Sequence, residues 1–431
     1  MNADLLIVNA SELLTIVSSG GPRRGTDMND LSIIPGGAVA VRDGLIVSVG
    51  PTDELRRTVR ADRTLDAGGK VVMPGFVDPH THLVFAGHRA DEFEMRLQGA
   101  TYMEIMAAGG GIMNTVRATR AASVDDLARE SLPRLERMLA HGTTTAEAKT
   151  GYGLNVADEI KTLHAIARLN REQPVELVPT FLGAHAIPAE YKGDEEGFVD
   201  LVVSEMLPAV AALPPDVRPR FCDVFCEDGA FTLDQSRRIL QWAKDLGFGL
   251  KIHVDEFKSL GGTALAVELG AVSADHLVTT PAGEVRMLAE SDVIAVSLPG
   301  TPFGLAHRDY SPARAIIDQG GALALATDLN PGTCPCESMQ FIIALACRQM
   351  KMTPAEAIVA ATINAAQAIG MGDRVGSLES GKQADILILD VPTYRMLAYR
   401  FGTNMVGTVV KRGGRCATHD AHGVVSHVLN H

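Results

Sequence analysis

Aromatic side chains are scarce, with one tryptophan and six tyrosines in 431 residues, and the 39 lysines and arginines are outnumbered by 52 acids. The net charge of −13, with no basic cluster interleaved with aromatics, argues against a nucleic-acid partner. No apolar run reaches the length of a bilayer span, so no membrane partner is expected. The segment Met1 to Ser11 carries Asp4 and lacks the basic start and cleavage pattern of a secretory leader, and a cytoplasmic protein is expected. The six cysteines, Cys222, Cys226, Cys334, Cys336, Cys347 and Cys416, follow no extracellular disulfide spacing, which predicts reduced thiols. A cysteine metal site would need the Cys222/Cys226 and Cys334/Cys336 pairs to meet in space, and small buried residues are the simpler reading.

Apolar residues are plentiful. A hydrophobic content of 46% over this length can bury a large core and exceeds one ordinary domain, so a major and a smaller domain are expected. From Met73 to about Gly370 a short β-branched or apolar run alternates with a longer stretch of helical period. The eight predicted strands are Phe76 to His82, Thr143 to Lys149, Val175 to Phe181, Arg220 to Cys226, Phe248 to Val254, Ala271 to His276, Val293 to Leu298 and Ala322 to Asp328. Thr232 with Gln235 and Thr353 with Glu356 read as capping boxes, and Gly247 and Gly370 suit helix ends. Eight such units make an α/β fold of the (β/α)8 TIM-like barrel type the economical solution.

Outside the barrel, Leu5 to Val17, Gly37 to Val49, Thr64 to Val72, Ala384 to Leu389 and Met405 to Arg412 are short strand-like runs broken by turns. They predict a small β-sandwich-like domain assembled from both chain ends, residues 1–72 and 376–431, beside a catalytic barrel over 73–375.

Such a barrel carries its chemistry at the carboxyl ends of its strands. His80 and His82 end the first predicted strand, His185 follows the third, His253 ends the fifth, His276 the sixth and Asp328 the eighth. Positions i and i+2 share one face of a strand, so His80 and His82 can converge on one ion. With His253 and Asp328 they form a nitrogen-rich ligand set for one divalent metal, better suited to Zn²⁺ or Fe²⁺ than to Mg²⁺ or Ca²⁺.

The runs Pro74-Gly75-Phe76-Val77-Asp78-Pro79-His80-Thr81-His82, Lys251-Ile252-His253-Val254-Asp255-Glu256-Phe257, Ala274-Asp275-His276-Leu277 and Ala326-Thr327-Asp328-Leu329-Asn330-Pro331-Gly332 together resemble the amidohydrolase superfamily. The narrower likeness is to the imidazolonepropionase family. It rests on His80 through Arg89, Ala100-Thr101-Tyr102, Lys149 through Leu154, Phe181 through His185, and Asp328 through Thr333.

The resemblance implies hydrolysis of 4-imidazolone-5-propanoate to N-formimidoyl-L-glutamate in histidine degradation, by a metal-activated water. Arg89 then offers a donor fork to the propanoate, and Tyr102, Tyr152, His185, Asn330, Gly332 and Thr333 meet the substrate. Asp328 and His276 manage the first proton, while Glu256 helps deliver one to the departing ring nitrogen and touches the substrate. The expected partners are this small molecule and a second copy of the chain in a homodimer. A related deaminase or cyclic-amide hydrolase is the rival within the superfamily, because a metal set alone does not choose a substrate. A two-metal enzyme bridged by a carbamylated lysine fits less well, since Lys149 ends the second predicted strand rather than the fourth. A non-catalytic scaffold would not need this complete ligand set. The run Pro302-Phe303-Gly304-Leu305 departs from the more aromatic family pattern and bears on which ring is accepted.

Overall fold

The computed structural model describes residues 1–18, 20–100, 104, 109–419 and 425–427. Both ends of the chain join one nine-stranded sheet. Its amino-terminal strands are β1 (Asn2–Leu14), β2 (Ile33–Arg42), β3 (Leu45–Pro51), β4 (Arg60–Asp66) and β5 (Val71–Pro74). After the barrel strands β6 to β13, the chain returns as β14 (Ile386–Leu389), β15 (Val406–Lys411), β16 (Gly414–His419) and β17 (Val425–His427). The path runs β17-β16-β15-β14-β5-β1-β2-β3, with β4 pairing β1. From Leu5 to Val8 the side chains of β1 alternate between two clusters, Leu5 and Ile7 in one and Leu6 and Val8 in the other, which is the period-2 signature of a strand buried on both faces.

Two of the expected end strands are each two. The run Gly37 to Val49 is a hairpin, because Asp43 and Gly44 adopt φ of 53° and 77° and reverse the chain. Thr64 to Val72 is divided by Gly68 and Gly69, both at positive φ, into β4 and β5.

The barrel strands are β6 (Phe76–Asp78), β7 (Thr143–Lys149), β8 (Glu176–Ala184), β9 (Phe221–Cys226), β10 (Gly249–Val254), β11 (Ser273–His276), β12 (Ile294–Ser297) and β13 (Leu323–Leu325), each parallel to its neighbours in chain order. Thr81 and Leu329 bridge the first and last of these, with the His82 N–H donating to Leu329 O at 2.8 Å and the Asp328 N–H to His80 O at 3.1 Å. Asp78 adds to the closure by accepting from the Thr327 N–H at 3.0 Å. Only Gly75 separates the two sheets, and a Cβ there would lie 2.2 Å from Thr144 Oγ1.

Alternation along the strands positions the chemistry. Ala146, Ala148, Cys222, Val224, Leu250 and Ile252 join the apolar cluster between barrel and helices. The intervening Glu147, Lys149, Asp223, Lys251 and His253 therefore face the barrel axis, where all are buried. Both expected capping boxes are present, with Gln235 N–H donating to Thr232 Oγ1 and Glu356 N–H to Thr353 Oγ1, and Ser123 with Asp126 forms a third. The five cysteines whose side chains are described, Cys222, Cys226, Cys334, Cys336 and Cys347, are free thiols. Among the described residues no helix is long and apolar enough to cross a membrane.

Candidate metal and active site

Three imidazoles converge at the carboxyl rim. β6 stops at Asp78 because Pro79 has no N–H to give the ladder, yet the extended chain beyond it still sends His80 and His82 to one side, their rings 5.3 Å apart. The His253 ring lies 4.4 Å from that of His80, and His253 Nε2 is 3.4 Å from His82 Nε2. Asp328 Oδ1 is 3.6 Å from Nε2 of both His80 and His82.

Ligand atoms of His80, His82 and His253 lie within 4.8 Å of one another, as do those of His80, His276 and Asp328. His80 Nε2 is buried with no hydrogen-bond partner. Burial is the largest force holding His80 and His82 well below an ordinary histidine pKa, with neighbouring positive groups adding to it, so both are neutral and can present a lone pair. Compact, buried and short of partners, this donor set fits one divalent cation.

The strands reach this geometry by leaving the β conformation at their ends. His276 follows the inward Asp275 and would face outward in a continued strand; a φ of 79° turns it back, 5.2 Å from the His253 ring. Asp328 adopts φ of 56°, and Asp255 and Leu277 also lie in the left-handed region. Such residues cost about 1–3 kcal/mol each and persist where packing over-determines them. β13 ends at Leu325, short of the expected Asp328, opposite the last residue of β12, Ser297.

Beneath the ligands lies a charge cluster that sequence reasoning missed. Asp275 Oδ2 is 2.6 Å from His80 Nδ1, and Asp223 Oδ1 is 3.0 Å from His253 Nδ1. These carboxylates fix the ring orientation and place each proton on Nδ1, leaving Nε2 for the centre. Lys149 Nζ reaches Asp223 at 2.6 Å and Glu147 at 2.8 Å, while Lys251 Nζ reaches Glu147 at 3.0 Å and donates to Pro79 O at 2.8 Å. Burial raises the Asp223 pKa, but the charges of His253 and Lys149 outweigh it and hold the carboxyl below its usual range. His80, Glu147 and Asp275 also lie within ligand distance of one another. Their cation is already supplied by Lys149 and Lys251. The available signal was charged residues placed at alternate positions in otherwise apolar strands.

Glu256 Oε2 lies 3.7 Å from His276 Nε2. Burial first, then Asp328 and Glu227, raises the Glu256 pKa well above the carboxylate range, and burial lowers that of His276. Burial also pushes the Asp328 carboxyl up to about 6, opposed by the hydrogen bond from Thr301 Oγ1. Thr301 belongs to the segment next to Pro302 and was not anticipated.

The other expected residues that are described fall into two groups, Tyr152 with His185 and Arg89 with the Asn330 to Thr333 loop. His185 stacks on His82 with centroids 4.9 Å apart, and Tyr152 lies 5.4 Å from His185 and 5.9 Å from His82. Arg89 and Gly332 touch, since a Cβ on Gly332 would fall 2.2 Å from Arg89 Nη1. The Arg89 Nε is committed to Glu92 at 2.8 Å. Asn330 Oδ1 accepts from the N–H groups of Gly332 and Thr333, both at 2.8 Å, so this side chain shapes its own loop. Tyr102 lies outside the described residues. A cavity of about 790 Å³ is bounded by Arg89, Gly332 and Thr333 of the second group and by Phe85, Phe93, Phe303 and Phe401. Phe303 places the unusual Pro302 to Leu305 run on that boundary.

Comparison with known proteins agrees with this architecture. Two models of the amidohydrolase family match residues 63–125 and 226–416. The 5-methylcytosine deaminase of Klebsiella pneumoniae superposes with a TM-score of 0.73 at 18% identity, covering 97% of this chain and 98% of that one. A zinc-bound adenosine deaminase of Xanthomonas campestris gives 0.71 at 21% identity, covering 96% and 93%. Fold and site together define a metal-dependent hydrolase of the amidohydrolase class. Imidazolonepropionases of Herpetosiphon aurantiacus and Symbiobacterium thermophilum are each 56% identical, the first over 96% of this chain and 97% of its own, the second over 95% and 96%. A model of the bacterial imidazolonepropionase-like composite domain matches residues 37–58. The chain belongs to the imidazolonepropionase family.

Proposed function

We propose that the protein hydrolyses 4-imidazolone-5-propanoate to N-formimidoyl-L-glutamate, a cytoplasmic step of histidine degradation. The observation that carries this reading is the convergence of His80, His82, His253 and Asp328 in a member of this family. Those four side chains would hold one divalent ion, Zn²⁺ or Fe²⁺. Bound there, the ion would lower the pKa of water from about 15.7 towards 7.

The protein's own groups do the rest. Arg89 holds the propanoate through charge-assisted hydrogen bonds, with Gly332 beside it. Tyr152 and His185 contact the ring, and Asn330 sets the loop that brings Gly332 and Thr333 to the substrate. Asp328, with its pKa pushed up to about 6, can accept a proton from the attacking water at neutral pH. The water oxygen bonds to the ring carbonyl carbon, and neutral His276 stabilises the developing charge on the carbonyl oxygen. As the carbon–nitrogen bond breaks, Glu256, kept protonated by burial, supplies a proton to the leaving nitrogen. A homodimer belongs to this reading; exposed Phe93, Phe303 and Phe401 around the cavity support it, and light scattering checks it.

The test is turnover of imidazolone propanoate beside a panel of purine, pyrimidine and hydantoin rings. Preference for imidazolone propanoate is expected. Faster turnover of another ring would replace the substrate and keep the class.

A further inference from the structure

The loop bearing Tyr152 is held by a single buried carboxylate. It leaves β7 at Lys149 and enters the helix Val156–Glu172, in whose first turn Glu159 lies. Glu159 is fully buried and its side chain points back at the loop. One carboxylate oxygen accepts from the Gly151 N–H at 3.1 Å, and the other accepts from the N–H groups of Gly153 and Leu154, both at 2.8 Å. The donors bracket Tyr152 on both sides.

Capping of the helix does not require Glu159. Asn155 performs that task, its Oδ1 accepting from the Asp158 N–H at 2.8 Å. The Glu159 carboxylate instead maintains a backbone that sequence alone would not choose, with Gly151 at φ of 108° and the non-glycine Leu154 at 52°. The residue it grips also reaches a second ring, for the Gly151 carbonyl lies 3.0 Å from His185 Nδ1. Approach there is close, since a Cβ on Gly151 would stand 2.9 Å from that nitrogen. Glu159 and His185 thus hold the N–H and the C=O of the same residue, Gly151, with Tyr152 next in the same loop.

We infer that Glu159 is a positioning residue that sets Tyr152 and His185 together as the ring-recognition surface, coupling the helix after β7 to substrate specificity. This rests on the proposed contact of Tyr152 and His185 with the substrate ring. It predicts that Glu159 acts on substrate affinity through those two side chains, although it touches neither substrate nor metal itself.

Glu159→Gln tests the idea, because an amide has one acceptor oxygen and cannot serve both arms of the loop. KM for imidazolone propanoate is expected to rise about 10-fold or more, with kcat within about 3-fold and bound metal unchanged. In a Tyr152→Phe/His185→Gln background the same change should alter kcat/KM by less than about 2-fold, since its targets are gone. A lower thermal midpoint with unchanged KM, or a full effect in the double-variant background, would overturn the inference. Should Glu159→Gln not fold, Glu159→Asp keeps the charge and both oxygens but withdraws them by one methylene, and KM should again rise. Tyr152→Phe and His185→Gln alone separate the two levels. If neither changes KM, the ring contacts are wrong and the inference falls with them. If they raise KM and no Glu159 variant does, the contacts stand and the positioning role fails.

Discussion

The ammonium of Lys149 lies 2.6 Å from Asp223 Oδ2, and Asp223 Oδ1 lies 3.0 Å from Nδ1 of His253. A buried lysine is thereby linked through one carboxylate to an imidazole of the candidate metal site. Replacing Lys149 by methionine removes one of the two buried ammonium groups, leaving Asp223 with His253 and Glu147 with Lys251 in a dry interior. Breaking a buried pair in this way costs about 3–5 kcal/mol. A lower unfolding midpoint and faster loss of metal to a chelator are expected, and an unchanged chelation half-time would argue that the lysine does not hold the ligand geometry.

His253→Ala and Asp328→Ala each delete a donor from the convergent set. Both proteins should lose bound metal, measured by atomic spectroscopy, together with turnover. Full activity in metal-free His253→Ala protein would defeat the metal reading.

Arg89→Met should act on binding. Losing a charge-assisted hydrogen bond costs about 1.5–3 kcal/mol, or roughly 10- to 100-fold in affinity. KM should rise by that order while metal content holds, because Arg89 is not one of the converging ligands. An unchanged KM would move the propanoate elsewhere.

Glu256→Gln preserves shape and removes the proton that burial retains on the carboxyl. A general acid contributes roughly 10²- to 10⁴-fold, so kcat should fall within that range with metal still bound. Wild-type kcat in this variant would assign proton delivery to another group.

Acid should weaken the metal-free protein. His80, His82, His185 and His276 are kept neutral chiefly by burial, with His185 held down to about 3. Unfolded histidines titrate near 6.5, so below that pH the unfolded chain binds protons the fold refuses. Their contribution is present above about 6.5 and lost as pH falls towards the lowered folded values. Denaturant midpoints should decline between about pH 7.5 and pH 5, with a shallower decline in His185→Gln. A flat profile would mean that these imidazoles are not buried in neutral form.

Much of this was legible before any coordinates. β7 spans the predicted residues Thr143–Lys149, because a strand buried on both faces is an apolar or β-branched run bounded by turns. His80 and His82 were paired by period-2 geometry, and strand-end order placed His253, His276 and Asp328 on the same rim. The strand ends were less legible: Pro79 stops β6, and β13 ends at Leu325, where its partner β12 stops.

The amino-acid sequence by itself determined the barrel, the paired chain ends and the gathering of His80, His82, His253 and Asp328 on one rim, because hydrophobic period and residue order are one-dimensional properties that strand geometry maps directly onto a face and a rim. Tertiary structure alone decided that Lys149, Asp223 and Asp275 stand behind the ligands, that Arg89 meets Gly332, and that Glu159 reaches back to the loop of Tyr152. Those contacts join residues from different strands, helices and loops. Their distances depend on barrel closure and on a few left-handed backbone turns, which no local pattern encodes.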